Sequence, residues 1–295
     1  MAECSIVRAL HSPALLLLVV LACPATVPGS ASALPGKAPH RSLEALRSEL
    51  STGDVDAVGT ATDGLIAMGS ERAAAVLSDF VHLGQPDALT DRVLERLVEA
   101  PFPAALPLLG ELTRHRRAGV RRMAYSALAR LEARKRAPRV DAAAVDAMLA
   151  EGLRDSDAGV RGRCARARGE RGAVAQLDTL FRALERGVPE AGAAIGRIGD
   201  SAALAHFHTH LGTRPIDVML AGYEQFLARA ELGEADKLDI VARLGEVASP
   251  TVKHFLGRLL ASTDWPPKSR LRHAVYETER RIDDGNRPEG ARDGR

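Results

Sequence analysis

Two segments of this chain, forty positions apart, carry the same four residues at the start of an amphipathic helical pattern. Both read Ala-Gly-Val-Arg, at Ala118–Arg121 and at Ala158–Arg161. A third helical pattern ends in Ile-Gly-Arg-Ile-Gly-Asp at 195–200, and a new apolar-periodic segment follows it directly. Repetition at this scale indicates a stacked helical array, in which each helix pair buries its apolar face only against its neighbours. The repeat therefore predicts an α-solenoid, and it favours binding over catalysis as the role of the chain.

The composition agrees with a helical array. Hydrophobic residues make up 46% of the 295-residue chain and charged residues 26%, which are ordinary values for a globular protein. The hydrophobic share is mostly Ala, Leu and Val, and aromatic residues contribute 3%. Helix-favouring residues dominate, and β-branched or aromatic runs of strand length are nearly absent. We therefore expect an all-α fold of stacked antiparallel helix pairs.

Apolar residues at helical spacing mark the extent of the array, which we place at residues 41–262. Within it, helical patterns cover 41–50, 54–68, 71–81, 91–98, 104–113, 117–133, 140–153, 157–169, 172–186, 190–198, 201–211, 215–230, 234–247 and 250–262. The connections are short and carry Gly, Pro or Asp, as helix hairpins require. A further helix within 263–283 is expected to cap the array, with its apolar stripe formed by Leu271, Val275, Tyr276 and Ile282. Residues 284–295 lack apolar content and are predicted to be disordered.

Two short motifs give the repeats a family resemblance. Asp157-Ala-Gly-Val-Arg161 opens one helix, and Gly199-Asp-Ser-Ala-Ala203 opens another. These segments resemble HEAT repeats, particularly the short bacterial variety related to phycobilisome-lyase repeats. The resemblance covers roughly residues 41–262 and is strongest in the central repeats, as expected when terminal repeats are atypical. It implies an α-solenoid with a scaffold or binding role, and it implies no activity.

The first 33 residues have the pattern of an export signal. Arg8 precedes the apolar run 14–22, and no further charged residue appears until Lys37. This run is too short for a membrane span, so we interpret residues 1–33 as a signal peptide and 34–40 as a linker. Cleavage has two candidate positions: after the Ala-Ser-Ala at 31–33, or before Cys23, since 20–23 resembles a bacterial lipobox. The expected location is therefore the periplasm or the outer membrane as a lipoprotein anchored through Cys23, and alternatively the medium as a secreted protein.

Cysteine usage agrees with export without disulfides. The chain contains Cys4, Cys23 and Cys164, of which one or two remain after processing. Cys23 would be acylated if it remained, so no intramolecular disulfide is expected. Cys164 is aligned with Ala124 of the other Ala-Gly-Val-Arg run, a small position that points into the array. We therefore expect Cys164 to be a buried, unreactive thiol.

Arginine is concentrated in the two central repeats. Ten basic residues lie within 114–139, and Glu132 is the one acidic residue in that window. Six more arginines follow within 154–171. Guanidinium groups suit bidentate contact with carboxylate or phosphate, which predicts an anion-binding face. The competing interpretation is a solvated face, with some arginines making contacts between repeats. We predict that an acidic protein partner binds on the inner face of the solenoid. The arginines selected as its contacts are Arg121, Arg122, Arg161, Arg163 and Arg166.

Other partners and cofactors are disfavoured. The net charge is only +2, aromatic residues for base stacking are scarce, and an exported protein rarely meets nucleic acid, so we expect none to bind. No phosphate-binding loop, dinucleotide fingerprint or Gly-x-Ser-x-Gly motif is present. We expect no cofactor and no catalytic residues. Contact with a membrane is expected only through the N-terminal lipid, and the oligomeric state is left open.

A cluster of histidines offers an alternative. His206 and His210 lie four positions apart on the predicted solvent face of a helix, with His208 at the edge of the core. Such a pair can contribute to a zinc site, but a third ligand is not visible in the sequence. No histidine is followed by glutamate, as in helical-repeat hydroxylases that bind two iron ions. The alternative to a non-catalytic scaffold is thus a metal-dependent or lyase-like enzyme built on the repeats, with His206 and His210 as weak candidate ligands.

Overall fold

The structure is a computed structural model that describes residues 41–131, 140–172, 174–263 and 265–285. These residues form fifteen α-helices and two short 3₁₀ helices, and the described ranges contain no β-strand. The all-α prediction is therefore confirmed. The predicted signal peptide (1–33), the linker (34–40) and Cys23 lie outside the described residues, as does the predicted tail from residue 286 onward.

The helices follow one another with short connections. In chain order they are α1 (Leu43–Leu50), α2 (Val55–Met68), α3 (Glu71–His82), α4 (Asp87–Glu99), α5 (Leu106–Leu112), α6 (Ala118–Leu131), α7 (Ala142–Gly152), α8 (Ala158–Arg171), α9 (Leu177–Glu185), α10 (Glu190–Ile198), α11 (Ser201–His208), α12 (Ile216–Ala228), α13 (Glu234–Val247), α14 (Pro250–Ser262) and α15 (Arg270–Gly285). The 3₁₀ helices are Pro103–Ala105 and Val174–Gln176.

Local chemistry explains where many of these helices begin. Asp54, Asp157 and Asp200 each precede the first residue of a helix, and each carboxylate accepts a hydrogen bond from the backbone N–H three positions on, at 2.8–2.9 Å. A side-chain oxygen at this position satisfies a donor that the helix itself leaves unpaired. Asp157 is the first residue of the Asp-Ala-Gly-Val-Arg motif at 157–161, so this motif marks the start of a helix.

The second helices of the pairs form a continuous layer. Each of α2, α4, α6, α8, α10 and α12 packs against the next one, and we call this set the second-helix layer. The first helices α1, α5, α7 and α9 each pack against the second helix that follows in the chain. The buried side chains join in one hydrophobic cluster from Leu46 to Ile282. This arrangement is an α-solenoid, as the repeat predicts.

The last helix lies against the end of the array. α15 contacts α13 and α14, and its residues Leu271, Val275 and Ile282 are buried. Tyr276, which the sequence predicts to belong to the same stripe, is 51% exposed. Its position is about 100° around the helix from Val275, which turns it toward solvent. The helix begins at Arg270, within the predicted range, and extends to Gly285, into the segment predicted to be disordered.

Other predicted helix boundaries shift for identifiable reasons. The predicted helix 172–186 begins only at Leu177, because Gly172 ends α8 in the left-handed conformation at φ 69° and a 3₁₀ turn follows. Gly is the residue that adopts this conformation at least cost. Within the described part of the chain, no helix is both long enough and apolar enough to span a membrane.

Candidate functional site

The first arginine of the repeated motif binds a carboxylate of the next repeat. Arg121 donates from Nε and Nη2 to the two carboxylate oxygens of Asp155, each at 2.8 Å. Its Nη1 donates to the backbone carbonyls of His115 and Arg116, at 2.9 and 3.1 Å. Partial burial opposes ionisation of Asp155, yet the hydrogen bonds from Arg121 hold the pKa of this carboxyl below its usual value. All three nitrogens of this guanidinium therefore donate to acceptors within the chain.

Arg122 makes a second contact of the same kind. It donates from Nε and Nη2 to Asp157 at 2.8 and 2.7 Å. The same carboxylate caps α8 through the N–H of Val160, and the hydrogen bonds from Arg122 and Val160 lower the pKa of Asp157. Asp157 therefore joins a helix start to the neighbouring repeat. Such charge-assisted bidentate pairs are among the stronger hydrogen bonds in proteins.

The preceding repeat has the same pair with its charges exchanged. Arg122 is the fifth residue of α6, and Asp157 immediately precedes α8. One repeat earlier, Asp91 is the fifth residue of α4 and Arg117 immediately precedes α6. Arg117 Nη2 donates to Asp91 at 2.7 Å, and Arg117 Nη1 lies 2.9 Å from Asp87. The two junctions α4–α6 and α6–α8 are thus both closed by helix-start ion pairs.

Helix-start ion pairs of this kind do not recur at the junction of α8 with α10, where Arg197 of α10 lies 3.7 Å from Glu170 near the other end of α8. Counted from the helix starts, Gly162 takes the place of Arg122, while Gly187 and Pro189 take the places of Asp155 and Asp157. Arg161, the counterpart of Arg121, therefore lacks the carboxylate that Arg121 has. Arg161 donates from Nη1 to the carbonyls of Asp155 and Ser156, Arg163 donates to Ser126 Oγ, and Arg166 is exposed. Across the described residues, none of these three arginines has a carboxylate within ion-pair distance.

The structure thus divides the five arginines selected from the sequence. Arg121 and Arg122 bind carboxylates of their own chain, which corresponds to the competing interpretation of contacts between repeats. Arg161 lies at the start of α8 beside the loop that precedes it, whereas Arg163 and Arg166 are exposed three positions apart on one face of the helix. The surface available for an anionic partner is therefore provided by α8 rather than by α6.

A groove lies beside α8, where the helix-start ion pairs do not recur. Glycines face the neighbouring helix at the junctions of α8 with α10 and of α10 with α12, so these helices approach closely. The Glu190 carboxylate occupies the space beside Gly162 that a larger side chain would fill. The groove has a volume of about 370 Å³ and is lined by Arg166, Pro189, Glu190, Ala193, Ala194, Arg197, Asp217, Val218 and Ala221. Sequence reasoning missed it, although glycines in three successive second helices were a signal of close packing.

The histidine pair is arranged around an aromatic ring. His206 stacks on Phe181 with ring centroids 4.1 Å apart, and the rings of His206 and His210 are 5.4 Å apart. Burial lowers the pKa of His210, which favours its neutral form. In the described ranges, no group of three or more His, Cys, Asp or Glu side chains is placed to hold a metal ion. The stacking on Phe181 orients the pair without a third ligand.

Two polar contacts link the third histidine to helices α12 and α13. His208 Nδ1 lies 2.9 Å from the hydroxyl of Tyr223, and its Nε2 lies 3.0 Å from Asp239 Oδ2. His208 is 7% exposed and Tyr223 is fully buried, so the phenol has no access to solvent. We therefore regard this group as a structural connection. Sequence reasoning placed His208 at the core edge but did not identify its two partners.

Acid should weaken this connection. Burial lowers the pKa of His208, and Asp239 opposes the shift only in part. Between the folded-state pKa and the unfolded value of about 6.5, the unfolded chain binds more protons, so the free energy of unfolding falls as pH falls. We expect H208Q to show a smaller loss of stability between about pH 7.5 and pH 5.5 in urea unfolding, with H254Q, at an exposed position, as the control. Equal pH dependence of wild type and H208Q would contradict this assignment.

Cys164 is fully buried and has no disulfide partner in the described part of the chain. Burial raises the pKa of its thiol, which keeps it protonated. Its sulfur fills the space beside Gly152. The predicted burial of this thiol is therefore confirmed, and Cys164 contributes to packing.

Comparison with known proteins gives only distant similarities. No family model matches the chain, and it has no significant match among curated proteins. Among solved structures, an engineered protein is 16% identical with a TM-score of 0.40, over 81% of this chain and 68% of its own. A designed armadillo repeat protein is 17% identical with a TM-score of 0.35, over 82% of this chain and 100% of its own. Similarity at this level says nothing about what the chain binds.

Proposed function

We propose that this protein is a non-catalytic scaffold or adaptor of the bacterial cell envelope that binds an acidic protein through the arginines of α8. The observation that carries the proposal is the contrast between two successive repeats. Arg121 and Arg122 of α6 are paired with Asp155 and Asp157, whereas Arg161, Arg163 and Arg166 of α8 have no carboxylate within ion-pair distance among the described residues. Of the arginines of α8, Arg163 and Arg166 are exposed, and their positive charge favours an anionic partner.

The fold supports a binding role in general terms. Repeat helical arrays present extended surfaces assembled from successive helices. Proteins of this architecture commonly use such surfaces for binding. The groove beside Arg166 provides a recess on the second-helix layer, and it is lined by both charged and apolar side chains. A partner with acidic residues would find guanidinium donors there and apolar surface between them. These features support recognition of a protein chain.

The envelope location rests on the N-terminal sequence. Arg8 and the apolar run 14–22 support export, and residues 20–23 support a lipid anchor on Cys23 as one of the two processing routes. Mass spectrometry of the mature N-terminus separates the routes, because an acylated Cys23 and a free residue 34 differ in mass and in first residue.

The test of the proposed function is capture from a cell-envelope extract of the source organism. The chain from Leu34 onward is immobilised as wild type and as the double variant R163E/R166E. We expect an acidic protein to bind the wild type, and binding to fall at least tenfold in the variant and with rising salt, because the contacts are ionic. Cross-linking to α8 would identify the captured protein as a direct partner.

A matched control is available on the first helix of the next pair. Arg182 of α9 and Arg186, directly after the last residue of α9, are both exposed, so R182E/R186E changes the net charge equally at another surface. Equal loss of binding in both variants would reduce the effect to net charge and contradict the proposed face. Stoichiometric zinc or iron in the purified protein would instead favour the alternative of a metal-dependent enzyme using His206 and His210.

A further inference from the structure

Arg161 and Arg121 occupy the same place in two successive repeats. Both are the fourth residue of a second helix, and both donate from Nη1 to two carbonyls of the loop that precedes that helix. The carbonyls are those of His115 and Arg116 for Arg121, and those of Asp155 and Ser156 for Arg161, at 2.8–3.1 Å. The loop carbonyls therefore orient both guanidinium groups in the same way, whether or not a carboxylate is bound.

The remaining donors of the two arginines differ in what they bind. In Arg121, Nε and Nη2 hold both oxygens of Asp155. In Arg161 these two donors have no acceptor among the residues that the structure describes, because Gly187 stands three residues before α10 where Asp155 stands three residues before α8. The carboxylate of Asp155 is not available either, since it binds Arg121 and the N–H of Asp157.

We infer that the Nε and Nη2 of Arg161 form a binding site for an aspartate or glutamate side chain of a protein partner. This inference rests on the proposed function and names its anchoring contact. The Arg121–Asp155 pair shows the geometry that the complex would reproduce, with two parallel N–H···O bonds of about 2.8 Å. A guanidinium already held by two carbonyls loses little side-chain freedom on binding, which favours affinity. The Glu190 carboxylate lies beside Gly162, the residue after Arg161, and would disfavour a second carboxylate there.

The direct test uses poly-L-glutamate as a defined carboxylate ligand. The probe is titrated into the chain from Leu34 onward, wild type and variants, at fixed low salt, and binding is followed by fluorescence anisotropy of labelled probe. We expect R161Q to weaken binding about tenfold or more, as for loss of one bidentate charge-assisted contact. R161K should weaken it nearly as much, because lysine keeps the charge but lacks the fork of donors. R182Q, at an exposed position of α9, should change affinity less than twofold.

Each result has a distinct meaning. If R161K binds as wild type does, or R161Q loses no more than R182Q, the inferred site is wrong. In that case capture of a partner that depends on Arg163 and Arg166 would leave the proposed function intact. If the extract yields no partner but poly-L-glutamate still binds through Arg161, the proposed function fails and the carboxylate site stands.

A measurement on the unchanged protein guards against misfolded variants. The Nε–H signal of Arg161 is observed by ¹⁵N–¹H correlation spectroscopy with arginine-selective labelling, and it is assigned by its loss in R161K. We expect this signal to shift on addition of poly-L-glutamate, while that of Arg121, already bound to Asp155, stays in place. A shift confined to other arginines would overturn the inference.

Discussion

Gly196→Ala is expected to destabilise the protein by about 3 kcal/mol or more, although the change adds a single methyl group. A Cβ on Gly196 would stand far inside van der Waals contact with the carbonyl oxygen of Gly222 and 2.9 Å from the Cβ of Gln225. The obstructing carbonyl belongs to the backbone of α12, so relief requires α10 and α12 to move apart. Such a shift would also disturb the packing that buries Ile195 and Tyr223.

The matched control is the same substitution at an open position. Gly119 lies in the first turn of α6, and a Cβ there would meet no atom within 4 Å. Gly119→Ala should stabilise the protein by roughly 0.5–1 kcal/mol, since alanine loses less backbone entropy than glycine in a helix. Thermal unfolding should separate the two variants, with G196A melting roughly 6–12 °C below wild type. If G196A melts with the wild type, α10 and α12 do not pack as closely as the structure has them.

The glycines also show what the sequence alone leaves undetermined. Helices α6 and α8 were predictable to within about two residues, because their apolar spacing and the Asp157 cap are local signals. The role of Gly196 is not local. In the sequence it reads as a residue that weakens a helix, and only the position of α12 shows that nothing larger fits. Close approach of two backbones depends on the register between repeats, which a single sequence does not reveal.

The sequence predicts that the candidate site is rich in arginine, but it does not predict which of these arginines are paired within the chain. The density of arginine in 114–171 directs attention to the central repeats. Which arginines are already satisfied depends on partners 34 or 35 positions away, Asp155 for Arg121 and Asp157 for Arg122. A signal did exist: adjacent arginines at the start of one helix are followed, one repeat later, by Asp-Ser-Asp at 155–157. Recognising it requires knowing that these two helix starts lie side by side.

Arg168→Ala is the second substitution expected to have a large effect. The Arg168 side chain is fully buried in α8, where Nη1 donates to the carbonyl of Asp146 at 2.9 Å and Nη2 donates to Gln176. These contacts join α8 to α7 and to the 3₁₀ turn that precedes α9. Truncation to alanine leaves a cavity and removes both contacts, so we expect a loss of about 2–5 kcal/mol in urea unfolding.

Arg168→Met should lower the free energy of unfolding much less, by about 1 kcal/mol or below. Methionine fills a similar elongated volume, and it removes a charge whose burial is unfavourable, since burial lowers the pKa of Arg168. The nearest carboxylate, Asp146, binds Nε of Arg171 rather than Arg168, and Nε of Arg168 is buried with no acceptor in the described ranges. A buried guanidinium without a full set of partners contributes more through its volume than through its charge. If R168M proves as damaging as R168A, the hydrogen bonds to Asp146 and Gln176 outweigh packing, and the junction between α7, α8 and α9 is held by polar contacts instead.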